Sequence, residues 1–287
     1  MKDLGTDPNG LDTEGLAVDK DGNFWISDEY GPFIVKADRH GNILEKYGPG
    51  TGLPRILASR VPNRGSEGLT IDERGHVFAL IQSPLNVGGK TAKTAKYTRI
   101  VEFDPTTKET TMYAYPVDTG YKNPGAAKLG DITSIGKGQF LIIEQGKQHG
   151  AMQNMIYKVD LNSATPIADN DDLELGLLDG KITPAKKTLV LDLHANGWNI
   201  EKAEGLALLP DRRTIAVVND NDFGMDIAVT DKKAVDPDVP DYTYDSDKKV
   251  MIYNKDKSVH KVKFSLKKNA PAEQESQIWF FTLPEAL

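Results

Sequence analysis

Apolar and polar residues alternate along most of the chain in runs of four to eight, and the runs are broken by Asp, Asn and Gly. Gly15 to Val18, Phe24 to Ser27, Phe33 to Asp38 and Ile43 to Tyr47 each read as a short strand. Asp19-Lys20-Asp21-Gly22-Asn23 and Arg39-His40-Gly41-Asn42 supply the turns between them, because Asp, Asn and Gly accept the positive φ of tight turns. The first 11 residues read as a lead-in loop. Gly68–Asp72, His76–Gln82, Arg99–Asp104 and Thr110–Pro116 form a second set of four. A third set lies near Ile132–Ile135, Gln139–Glu144, Met155–Asp160 and Thr165–Ala168. A fourth opens at Glu204–Leu209 and Thr214–Asn219, breaks at a polar stretch, and closes on Gln277 to Leu283. Helical periodicity is nearly absent; Asp172 to Asp179 and Ala185 to Lys187 are at most short turns.

The sets share a plan. Each opens on an acid, at Glu14, Glu67, Asp131 and Glu204, and three of these acids lead a Glu-Gly-Leu. The openings are 53, 64 and 73 residues apart, within reach of a four-stranded unit and its loops. Such a repeat predicts an all-β fold, a β-propeller of four-stranded antiparallel blades whose innermost strands begin at the acids. Four blades are clear, and Val250–Tyr253 with Lys261–Leu266 could hold strands of a fifth, in a ring of five to seven. The expectation is a single domain over 1–287, with a polar insertion at 225–276.

Composition narrows the chemistry. The net charge of -7 argues against a nucleic-acid or anionic-membrane surface and suits a cation-binding or carbohydrate-facing protein. With no cysteine there is no disulfide, thiolate metal site or Cys nucleophile. No apolar run approaches the roughly 20 residues of a membrane span. The opening stretch MKDLGTDPNGLDTEG has no apolar core, so no signal peptide is expected within it.

Registering the repeats on Glu14 puts Glu29, Gln82, Glu144 or Gln145, and Asn219 at one equivalent position. A hairpin brings this position back beside the opening acid. Carboxylate and amide oxygens gathered about 2.4 Å from one point are what Ca²⁺ takes, usually 6–8 of them. The expected metal ligands are therefore Glu14, Glu29, Glu67, Glu144, Glu204, Asn219, Asp220 and Asp222. Asn219-Asp220-Asn221-Asp222 lacks the spacing of an EF-hand. Arg64 stands three residues before Glu67, and its planar fork of donors suits a phosphate. Lys90, Lys93 and Lys96 read as a solvated loop. The five histidines form no metal motif and read as surface residues, while Trp25, Trp198 and Trp279 read as core. There is no nucleophile elbow, P-loop, Rossmann fingerprint or zinc spacing.

Taken together, Glu14-Gly15-Leu16, Trp25 to Pro32 (WISDEYGP), Asn63 to Leu69 (NRGSEGL), Gln82-Ser83-Pro84-Leu85, Glu204-Gly205-Leu206 and Asn219 to Phe223 (NDNDF) resemble the phytase-like family, "esterase-like activity of phytase". The resemblance runs from about residue 10 to 284. It implies a propeller whose acids carry phosphoric-ester hydrolysis, commonly in exported bacterial proteins, hence a secreted or periplasmic site. Two departures stand out. Family members usually carry residues before the DxEGL segment that form a first blade. A family Glu-Arg-Gly reads Glu144-Gln145-Gly146 here, which removes one contact if that Arg holds the substrate anion.

The expected function is a Ca²⁺-dependent phosphoric ester hydrolase, monomeric, with Glu29, Glu67 and Arg64 as its reacting groups and Glu29 as general base. The alternatives are a metal-dependent lactonase or esterase on the same funnel, and a non-catalytic binding propeller that Ca²⁺ only stabilises.

Overall fold

The computed structural model describes residues 10–235 and 237–287, so most of the expected lead-in loop lies outside the described residues. The chain divides into two compact units. The first runs to Asn219 and resumes at Ile278–Leu287, and the second is Asp220–Gln277.

The first unit is built of antiparallel meanders. Its first sheet orders Thr13–Val18, Phe24–Asp28, Ile34–Ala37 and Ile43–Pro49, and adds the short parallel strand Gly52–Leu53. The second orders Ser66–Ile71, Val77–Ile81, Tyr97–Phe103 and Thr110–Pro116. The third orders Lys128–Gly136, Gln139–Gln148, Ala151–Asp160 and Lys186–Asp192. The fourth has three strands, Gly205–Leu208, Thr214–Val218 and Ile278–Thr282.

The turns form as their residues dictate. Asp19 Oδ1 accepts the amides of Asp21 and Asn23, each at 2.9 Å, and Gly22 sits at φ +82°. Asp38 to Asn42 and Asp72 to His76 repeat this construction. The second strand of the second sheet is apolar at every position because both of its faces are covered. Val77, Ala79 and Ile81 pack toward the first sheet's Trp25 and Ile34, while Phe78 and Leu80 pack toward Phe140 and Ile142 of the third. The third sheet repeats the division, sending Leu141 and Ile143 to Leu206, Ile215 and Val217 of the fourth.

Glycine sets how closely the first strands of these sheets approach one another. A Cβ on Gly15 would lie 2.4 Å from Leu69 N, and one on Gly68 would lie 2.6 Å from Asp131 Cα. One on Gly130 would lie 2.4 Å from Ala203 O. Side chains cannot occupy those gaps, which explains the Glu-Gly of the first two repeats.

One expected strand moves, and the expected turn Ala185 to Lys187 runs into a strand instead. The fourth strand of the third sheet is Lys186–Asp192, and Thr165–Ala168 joins an excursion that crosses to the second sheet. Pro166 removes a ladder donor from the shorter run, and Arg99 secures the excursion. Arg99 is fully buried, pairs with Glu174 at 2.6 Å and donates to Asn170 O at 2.8 Å. In the second unit Val250–Tyr253 pairs with Tyr242–Asp245 and Val259–His260, and Lys263–Lys268 pairs with Met225–Thr230. The two strands expected of a fifth blade therefore lie in different small sheets.

Candidate functional site

In each of the first three sheets the opening strand carries the same β-bulge, between Thr13 and Leu16, Ser66 and Leu69, and Leu129 and Ile132. A bulge re-aims the side chains around it. Aligned on it, Glu14 and Glu67 match Gly130, and Gly15 and Gly68 match Asp131. The third repeat thus exchanges the order of acid and glycine. Asp131 ties first strands together instead, accepting the amides of Ile132 and Leu206 at 2.7 Å and also that of Leu69. Its burial pushes it up to about 7 against those amides.

The same alignment matches Glu29 with Gln82 and Gln145, so Gln145 takes the place that Glu144 was expected to share. The Glu144 side chain makes its contacts elsewhere. It accepts from Tyr115 Oη at 2.7 Å and from the Asp118 amide at 2.8 Å, and pairs with Lys187 Nζ at 2.6 Å. Adjacent residues of a strand face opposite sides, and the register slip of one residue decides which is which.

Glu29, Glu67 and Gln82 do come together, all buried. Gln82 Nε2 donates to Glu29 Oε1 at 2.9 Å and to Glu67 Oε2 at 2.5 Å. The backbone fixes their spacing. Gly65 N donates to Glu29 O, Gln82 N to Gly65 O and Leu129 N to Gln82 O, which links three sheets. A Cβ on Gly65 would lie 2.2 Å from Glu29 O, so this junction admits only glycine. Asp12, Glu14 and Glu29 offer carboxylate oxygens within 4.8 Å of one another. Asp28 is structural, because its carboxylate accepts the amides of Asp12 and Gly31.

Burial pushes Glu67 up to about 10, and Glu204, Glu29 and Glu14 add to the rise while Lys128 opposes it. Burial also raises Glu29, which Lys128 again opposes. Two carboxyls this close in low dielectric hold a proton between them unless a cation intervenes. Gln82 Oε1 is buried and has no hydrogen-bond partner among the described residues. A cluster of carboxylate oxygens with an orphaned amide oxygen beside them has the ligand chemistry of a hard-cation site.

A cavity of about 260 Å³ adjoins the acids, lined by Arg64, Lys128, Lys147, Lys202, Glu201 and Glu204. Arg64 is held in place by Gly125 O at 2.5 Å and Ser83 Oγ at 3.1 Å, both accepting from Nη1. Gln145 Nε2 donates to Glu204 Oε1 at 3.2 Å, and Gln145 Oε1 accepts from Asn154 Nδ2 at 2.7 Å. Asn219 is buried at the end of its strand, while Asp220 and Asp222 belong to the second unit. There Asp222 N donates to Asp220 Oδ1 at 3.0 Å, and Phe223 sits at φ +58°.

Asp12, Lys128 and Lys202 were not legible as site residues. Lys128 had one signal, its place two residues before the position where the third repeat lacks its acid. Trp25 and Trp198 are core as expected, but His260 is buried where a surface residue was expected. Among the described residues no helix is long and apolar enough to cross a membrane.

Comparison with known proteins adds the following. An uncharacterized secreted protein of Arthroderma benhamiae is 32% identical over 179 residues, which cover 49% of this chain and 35% of that protein. The chain thus spans about a third of that relative's length. In structure, a protein from Lactobacillus plantarum is similar at a TM-score of 0.39 and 12% identity, covering 90% of this chain and 60% of that one. Virginiamycin B lyase from Staphylococcus aureus is similar at 0.35 and 16%, covering 75% of this chain and 68% of that one. The family model "Phytase-like: Esterase-like activity of phytase" matches residues 2–223, which takes in the bulged first strands, the acid cluster and Arg64; the chain belongs to the phytase-like family.

Proposed function

We propose that the first unit is propeller-like and acts as a Ca²⁺-dependent phosphoric ester hydrolase. The carrying observation is the junction of Glu29, Glu67 and Gln82, with its orphaned amide oxygen, beside a cavity lined by Arg64 and Lys128. Glu29, Glu67 and Gln82, with Glu14 and Asp12, would hold the cation. When bound, it would polarise a phosphoryl oxygen and acidify a water. Arg64 and Lys128 bind and orient the phosphate, because both present cationic donors to one cavity. Gln145 holds Glu204 at the edge of that cavity, and Glu204, within one cavity of Arg64 and Lys128, accepts the proton of the attacking water and returns it to the alkoxide that departs as the ester P–O bond breaks. Glu144, Asp220 and Asp222 take no part in this reading. The secreted relative supports export of this chain as well.

The test is turnover of a chromogenic phosphomonoester and diester with Ca²⁺ and with EDTA, for the wild type and Glu67→Gln. Activity is expected only in the Ca²⁺-loaded wild type, and activity surviving both EDTA and the substitution would sink the reading. A non-catalytic reading has one observation in its favour, since the cluster joins two sheets and a cation there would staple them. A large Ca²⁺-dependent rise in Tm with no turnover of either ester would select it.

A further inference from the structure

The second unit holds a polar cluster separate from the acid site. His260 is buried, with its ring stacked on Tyr253 at a centroid separation of 4.8 Å. Its Nδ1 hydrogen-bonds Asp231 Oδ2, which also accepts from Tyr242 Oη at 2.6 Å. The other ring nitrogen, Nε2, lies 2.9 Å from Ser258 Oγ. Ser258 immediately precedes the strand Val259–His260, two residues before His260. The Asp231 side chain is almost fully buried, and the Tyr242 and His260 hydrogen bonds help hold it ionised, down to about 2. Ser258 itself is exposed.

We propose that Ser258 is an activated nucleophile, with His260 as its general base and Asp231 as the group that orients the ring, forming a second site for small, surface-accessible esters. The three roles of a hydroxyl, a base within reach of it and a carboxylate fixing the base's tautomer are recognised by geometry and not by chain order. With Nδ1–H directed at Asp231, Nε2 faces the Ser258 hydroxyl and takes its proton. Oγ then bonds to the acyl carbon, and the proton passes from Nε2 to the departing alkoxide as the ester C–O bond breaks. Water repeats the exchange on the acyl-serine and releases the acid.

Asp256 regulates this arrangement. Its Oδ1 accepts both Ser258 N–H at 2.9 Å and Ser258 Oγ–H at 2.7 Å. The amide of a nucleophilic serine is also a donor to the oxyanion formed on attack. Asp256 therefore sits where a substrate's carbonyl oxygen belongs and competes with His260 for the hydroxyl proton. Its side chain is 56% exposed, so it can swing out into water.

The experiment treats the full-length protein with a fluorophosphonate probe at pH 7.5 and locates the adduct by peptide mass spectrometry. The probe's P–F bond breaks as Oγ–P forms, and the serine proton leaves with fluoride by way of Nε2. The adduct is expected on Ser258 and absent from Ser258→Ala. The labelling rate should fall about 100-fold in His260→Gln, the scale of a lost general base. Because His260 is buried, an exposed variant supplies an independent reading, and Asp256→Ala should label several-fold faster than the wild type. No adduct on Ser258 in either the wild type or Asp256→Ala would overturn the proposal. So would a rate that His260→Gln leaves unchanged, or one that Asp256→Ala leaves unchanged or lowers.

Discussion

Glu67 has the most displaced carboxyl of the acid cluster, and its displacement has a sign. Near 10 in the folded chain and ordinary in the unfolded one, it takes up a proton on folding at neutral pH. The folded state then binds more protons than the unfolded state, so stability falls as pH rises from about 4.5 toward 10. Without Ca²⁺, the unfolding free energy from urea titrations should decline across that window, and Glu67→Gln should flatten the decline. Saturating Ca²⁺ should flatten it too, with protons released on binding, as a pH-stat or calorimetry in two buffers would register. Glu144 and Lys187 make a different case. Glu144 is fully buried and the Lys187 side chain 11% exposed, so Lys187→Met strands a carboxylate. Urea titration should show a loss of about 3–5 kcal/mol, partly recovered when Glu144→Gln is added.

At the scale of elements, the opening strands are organised around contact distance. Gly68→Ala drives a Cβ against the Asp131 backbone, which cannot retreat. It should cost about 1–3 kcal/mol, as overpacking does, and should also weaken Ca²⁺ binding. Gly75 has φ +86° and open space around a would-be Cβ, so Gly75→Ala should cost about 1 kcal/mol and leave Ca²⁺ affinity alone. Thermal melts with and without Ca²⁺ separate the two effects. This scale also marks how far the sequence can be read. Alternation and Asp/Gly turns located the strands well, because each of those signals is local. The choice between Glu144 and Gln145, and the role of Asp131, depended on a bulge that shifts the register by one residue. Nothing in the residue pattern announces a bulge, since it is decided by how closely the neighbouring first strand packs. Lys128 and the buried His260 were missed for a related reason, since Lys128 meets acids remote in sequence and His260 is paired with Asp231, 29 residues away.

For the molecule as a whole, the second unit interrupts a hairpin. Val218 and Ile278 are register partners in the fourth sheet, yet the whole of Asp220–Gln277 lies between them. Replacing 220–277 by a short Gly-Asn turn should leave the first unit folded. Ca²⁺ binding and phosphoesterase activity should persist, and fluorophosphonate labelling should vanish. Circular dichroism with both assays checks this, and loss of Ca²⁺ binding from a folded deletion would show that the first unit alone is not the metal site.

The exchanged Gly130 and Asp131 give the site a direction. Two repeats turn a carboxylate toward the cluster, but the third turns none and places Lys128 nearby. Glu14, Glu29 and Glu67 therefore come from or adjoin the first and second sheets, and Lys128 comes from the third. In the proposed hydrolase an anion is therefore drawn in beside Lys128, and the gap left by one missing acid acts as its doorway.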